Sequence, residues 1–293
     1  MEYQTEAALQ ADKHSLWQLL RPARIWLRFK QGMSLLLGQR KIAFAMAVRE
    51  LRMRYAGQFA GTFWIVGHPL FQMCVFVFVF AVVFKQRIGG TVELPRDYTT
   101  YILAGLVPWL SLSSALPGFC GSIVGNANLV KQFAFQLEIL AVKDVMISMV
   151  FWLIGIMILI VYCLVVDHSL PWTYLLLPVI FALHVMFAVG LGWFLSSVGV
   201  FIRDMKDVMT VLVTAGIYVL PVVYLPSWVP AIFRPLVVVN PLSSMIWVYQ
   251  DALYYGRIEH PYAWISFAAL SIFSFVFGLR TFVALKPFFG KAL

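Results

Sequence analysis

The residues best suited to chemistry in this sequence are arginines. Arg49, Arg52 and Arg54 fall within one short stretch, and guanidinium forks match phosphate oxygens in charge and geometry. At helical spacing, Phe44, Val48, Leu51 and Tyr55 share one face, and these arginines lie to its sides and back. The pattern reads as a helix lying in the headgroup plane of a membrane, its cations on acidic phosphates. A basic helix packed on a partner subunit is the other reading. The remaining reactive types are scattered. His14, His68, His168, His184 and His260 show no metal-ligand spacing, and Cys74, Cys120 and Cys163 sit in or beside apolar runs as small hydrophobes. No G-x-x-x-x-G-K-[ST] stretch occurs, so this sequence holds no nucleotide-phosphate cradle of that kind. Glu93, Arg96 and Asp97 form a small charged cluster that reads as a solvated turn. No catalytic residue, metal site or cofactor is expected in the chain itself.

The elements that carry these residues follow from composition. The chain has 293 residues, of which 62% are apolar, 16% aromatic and only 12% charged. A soluble domain has about 25% charged residues, so this chain cannot cover a water-facing surface. Disorder is excluded by the same figures. An all-α polytopic membrane protein remains. Six transmembrane helices are expected, at about 62–84, 98–120, 145–166, 172–201, 208–220 and 264–283. Between the last two, Pro221, Pro226, Pro230, Pro235 and Pro241 interrupt an apolar stretch. Broken backbone survives at membrane depth only when buried in protein or lining a wet cavity, so 221–262 reads as a re-entrant helix pair. Ahead of the spans lie a basic N-terminal extension (1–39), whose surface helix is broken by Pro22, and an amphipathic interface helix (40–61). The transmembrane domain covers 62–284, and a short tail (285–293) follows.

The net charge of +9 is a topology signal rather than a nucleic-acid footprint, because ten of the 22 Lys and Arg residues precede residue 61. With six spans, 17 basic residues fall on the side of the termini and five on the other. The positive-inside rule then places both termini in the cytoplasm of a plasma or inner membrane. No Asp, Glu or Arg falls in mid-span, and His184 is the one titratable candidate there. Ion-coupled carriers need such groups, so work must come from a partner.

Four ordered stretches resemble the permease subunit of ABC-2 exporters of polysaccharides: O-antigen, capsule and teichoic acid. They are Arg49–Tyr55 with Gly61-Thr62-Phe63-Trp64 and His68-Pro69; Gly125–Lys131 continuing through Phe133 to Glu138-Ile139-Leu140; Phe201–Asp207; and Leu220–Tyr224 with Pro230, Asn240-Pro241-Leu242, Tyr249–Leu253 and Gly256. Two positions depart from the family pattern: Gln136 replaces a usual proline, and Gln250 a frequent arginine.

The resemblance implies a homodimer with two copies of a cytoplasmic ABC ATPase, ATP and Mg being bound on that partner, and a lipid-linked polysaccharide as cargo. No nucleic acid is implied. The ATPase-coupling loop would use Asn126, Asn128, Lys131, Phe133 and Glu138, with Arg203 and Asp204, a possible ion pair, in the next loop. Arg49, Arg52 and Arg54 would meet a lipid pyrophosphate or plain headgroups. Trp64, Phe71, Trp109, Tyr218, Tyr224, Trp247 and Tyr249 are channel candidates, since aromatic faces suit sugar rings. Two alternatives stay open: an ABC-2 exporter of small molecules or drugs, and an ATPase-independent membrane enzyme or flippase of lipid-linked sugars.

Overall fold

The computed structural model describes residues 22–83, 96–130 and 136–293. Helices account for all the regular structure among them. In chain order these are α1 (Pro22–Arg54), α2 (Trp64–Val77), α3 (Tyr98–Gly121), α4 (Ala127–Val130), α5 (Glu138–Val166), α6 (Leu177–Phe201), α7 (Met205–Val219), α8 (Arg234–Val239), α9 (Pro241–Gln250) and α10 (Pro261–Ala292). Short 3-10 or π turns extend several of them: Gly61–Phe63 and Phe78–Val83 flank α2, Trp172–Leu176 leads into α6, and Asp251–Tyr255 continues α9.

Among the described residues, five segments are long and apolar enough to cross a bilayer: Gly61–Phe80, Tyr98–Gly121, Glu138–Val166, Trp172–Phe201 and Pro261–Ala292. The expected fifth span corresponds to α7, which has 15 residues. At 1.5 Å per residue this is about 22 Å, short of the ~30 Å hydrocarbon core. Along α5, Leu153, Met157, Val161 and Leu164 form an exposed apolar stripe of the kind a lipid surface requires.

Four helices make the scaffold. The most extensive packing is α6 on α10, and α3 packs on both α5 and α6. Small residues permit the close approach. A Cβ on Gly190 would strike the backbone of Ser274, one on Gly278 the backbone of Gly190, and one on Gly199 the Cys120 carbonyl. Backbones meeting at glycine gain dispersion contacts that water-driven burial cannot supply inside lipid.

Pro22 is the first described residue of α1, so the expected break of a surface helix there lies at the edge of the described residues. Three sequence expectations change here. Residue 40 lies inside one 33-residue helix, not at a boundary. The 285–293 segment is no free tail, because α10 runs through it to Ala292 and buries Phe289 against Phe201 and Phe282. The packed stripe of α1 is Ala43, Ala47, Leu51 and Tyr55, with Ala47 and Leu51 against Ile147 and Phe151 of α5, while Phe44 is 64% exposed. Alanine lets the two backbones come close, so the face that packs is the smaller one rather than the more hydrophobic one.

Candidate functional site

At one end of the bundle, here the basal end, two charge clusters tie helices together. Lys143 on α5 pairs with Glu50 on α1 and lies 3.0 Å from its neighbour Asp144. Lys286 near the end of α10 pairs with both oxygens of Glu138, at 2.8 and 2.9 Å, and Trp193 Nε1 donates to the Glu138 carbonyl. The Glu138 side chain is only 9% exposed. It anchors the start of α5 to α10 and is not a free docking group. Asn126 Nδ2 donates to the Ser122 carbonyl at 2.8 Å, and Asn128 is exposed. Lys131 and Phe133 lie outside the described residues. Arg203 and Asp204 are exposed and form no ion pair with each other.

At the opposite end, the stretch after α7 keeps its irregular backbone by recruiting side chains. Tyr98 Oη donates to the Val223 carbonyl, Tyr101 Oη to the Tyr224 carbonyl at 3.1 Å, and Gln250 Nε2 to the Pro221 carbonyl at 2.9 Å. Thr173 Oγ1 and Tyr174 Oη serve the Ala252 and Leu253 carbonyls in the turn after α9. An unmet carbonyl away from water costs free energy comparable to a lost hydrogen bond, so these donors are what allow the chain to break there. Gln250, which departs from the family pattern, is one of them.

Asp251 is wholly buried and accepts from the His260 backbone N–H, His260 Nδ1 and Trp264 Nε1, fixing the entry to α10. Trp152 Nε1 donates to Tyr249 Oη at 2.7 Å, and Tyr249 Oη lies 3.1 Å from His184 Nδ1. This links α5, α9 and α6. Nearby, Arg96 faces Asp167 at 3.6 Å and Tyr162 Oη donates to Asp97 at 2.7 Å. Arg96 and Asp97 are therefore part of a partly buried network, not a solvated turn; Glu93 lies outside the described residues.

Between these two ends a cleft opens beside α2, α3 and α7. Its basal part, about 350 Å³, is bordered by Glu50, Arg54, Ser114, Asn126, Lys143 and Lys206 among others. Its deeper part, about 400 Å³, is bordered by Arg54, His68, Gln72, Ser113, Ser114 and Val213. Arg54 and Ser114 border both parts. His68 and Gln72 sit one turn apart on α2, and neither side chain hydrogen-bonds to a described residue. Along α7, Lys206, Thr210, Thr214 and Tyr218 follow at four-residue spacing, all exposed. Thr210 and Thr214 return their hydroxyls to the carbonyls of Lys206 and Thr210, yet a lysine, two hydroxyls and a phenol along one exposed face suit water or a polar cargo better than hydrocarbon.

The aromatic channel candidates divide on the same map. Trp64, Phe71 and Tyr218 are exposed, and Tyr224 is half-buried. Trp109, Trp247 and Tyr249 are core: Trp109 lies against Gly216 of α7, and Trp247 stacks on His260. Among the cysteines, Cys120 and Cys163 are buried, but Cys74 is exposed. The polar members of the cleft, His68, Gln72, Ser113 and Ser114, were missed by reasoning from aromatics. The signal available was the i, i+4 pair of polar residues inside an apolar span.

The helices and the cleft define a multi-pass membrane protein with a polar path alongside its apolar core. Residues 43–254 match the ABC-2 type transporter family, and the chain belongs to it. It is 27% identical over 247 residues to an O-antigen export system permease protein of Klebsiella pneumoniae, covering 84% of this chain and 92% of that one. An O-antigen export system permease protein of Myxococcus xanthus is 24% identical, with 80% and 88% covered. A polysialic acid transport protein of Escherichia coli is 18% identical, with 79% and 87% covered.

Proposed function

We propose that this chain is the membrane permease of an ATP-driven exporter that carries lipid-linked polysaccharide, of the O-antigen or capsule type, outward across the inner membrane. The observation that carries this reading is the cleft itself: His68, Gln72, Ser113 and Ser114 gather at the depth of otherwise apolar helices, the two serines returning their hydroxyls to their own helix while His68 and Gln72 bond to no described residue. A polysaccharide is a chain of hydroxyls, and His68, Gln72, Ser113 and Ser114 offer it hydrogen-bonding groups of both kinds. The named cargoes of the relatives support the same class.

In this reading the basal end faces the cytoplasm, in keeping with its share of the basic residues, and both termini lie there. α7 with the irregular 220–224 segment makes the sixth crossing, and α8 and α9 form the re-entrant pair. Two copies of the chain face one another across their clefts, and two copies of a separate ATPase dock at the basal end near Asn126 and Asn128. ATP and Mg are bound on that partner. Its motion reaches the spans through the start of α5, where Glu138 and Lys143 tie α5 to α10 and α1.

The test is water access and export together. In a variant lacking native cysteines, His68→Cys and Gln72→Cys are expected to react with a water-soluble maleimide several-fold faster than a cysteine at Leu153 or Met157. Deleting the chain is expected to leave surface polymer absent and lipid-linked polymer accumulated inside. Equal labelling rates at all four positions, or unchanged surface polymer, would overturn the reading.

A further inference from the structure

We infer that Arg54 is an anion-binding residue of the cleft, taking a phosphate or pyrophosphate headgroup at the basal mouth, and that Arg49 and Arg52 are not part of this site. The inference rests on the proposed conduit and names where a charged headgroup would meet it.

The first observation is a division of faces. Arg49 and Arg52 border a shallow groove with Phe44, Ala45, Val48 and Met53, on the side of α1 turned from the bundle. Arg54, two residues on and therefore about 200° around the helix, borders both parts of the cleft. Three arginines that look equivalent in sequence thus serve different surfaces.

The second observation is the charge balance at the mouth. Its two carboxylates, Glu50 and Asp144, are both engaged by Lys143. Arg54 and Lys206 border the same space and form no ion pair with a described residue. One lysine shared by two carboxylates leaves the five charged groups of the mouth at a net +1, with Arg54 and Lys206 as the cations not tied into an ion pair, and no described carboxylate borders the deeper part. Two cations suit a group with more than one negative charge.

The third observation is room. Gly118, Gly121 and Gly125 border or neighbour the basal part, and a Cβ at any of them would meet nothing within 4 Å. A headgroup can approach the Arg54 fork there, while groups attached to it reach Ser113, Ser114, His68 and Gln72 beyond.

The test uses the full chain in phosphatidylcholine nanodiscs, with farnesyl pyrophosphate, inorganic pyrophosphate and phosphatidylglycerol as probes. Arg54→Ala is expected to weaken farnesyl pyrophosphate binding about tenfold, the scale of one charged hydrogen-bonded contact, and Arg54→Lys to recover part of it. The double variant R49A/R52A is expected to bind farnesyl pyrophosphate within twofold of the unaltered chain and phosphatidylglycerol more weakly. If phosphatidylglycerol shows the same Arg54 dependence, the phosphate site stands and its source is a bilayer phospholipid. If inorganic pyrophosphate competes, the charged group alone is the determinant. Binding unchanged by Arg54→Ala, or lost equally in R49A/R52A, would overturn the inference while leaving the export result untouched. Polymer export that persists without this chain would overturn the proposed function and leave the binding result standing.

Discussion

The first and second spans differ sharply in how they are held. Of the most apolar window in Tyr98–Gly121, 72% is buried, against 11% in Gly61–Phe80. The central α3 is wrapped by α5, α6, α7 and α9, while α2 and α7 attach along narrow strips and leave most of their surface open. The difference separates a scaffold, which resists change, from two flanking helices that border the cleft. A helix needing to move or meet a second copy cannot also be buried on all sides.

Substitutions can break or sharpen this contrast. The largest effect is expected at the scaffold's closest contact. Gly190→Leu or Gly278→Leu places a side chain in backbone, so recovery of monodisperse protein in detergent should collapse, whereas Gly118→Ala, which meets open space, should leave it unchanged. Next, Lys143→Ala strands Glu50 and Asp144 at the junction of α1 and α5 and should cost about 3–5 kcal/mol, read as a lower midpoint in thermal unfolding. Tyr249→Phe removes the bridge between Trp152 and His184 and should cost about 1–3 kcal/mol by the same measurement. Smallest is Arg203→Ala, on an exposed turn without an ion pair, expected within about 0.5 kcal/mol of the unaltered chain. A destabilisation at Arg203 as large as that at Lys143 would erase the distinction between scaffold and margin.

Much of the architecture was readable from residue order. Long apolar runs announce spans because a bilayer leaves the backbone few choices, and the prolines from Pro221 to Pro241 announce a break. What escaped was partnership. Glu138 looks like a loop residue until Lys286, 148 positions away, is found beside it. Trp109, Trp247 and Tyr249 look like sugar platforms because type alone does not say which way a ring turns. Ala43 and Ala47 carry too little apolar surface to outrank Phe44 in a hydrophobic pattern, yet their smallness decides which face docks. The break at 221–224 was expected, but its donors Tyr98, Tyr101 and Gln250 come from two other elements. The i, i+4 pair His68 and Gln72 was legible and went unread.

The clasp between Lys286 and Glu138 has a practical corollary for anyone handling this polypeptide. Appending a purification handle after Leu293 leaves the clasp closed, whereas trimming the chain before Lys286 unhooks the last helix from the start of α5. The final eight residues therefore belong to the machine's frame, and a shortened version would fail at a joint far from where it was cut.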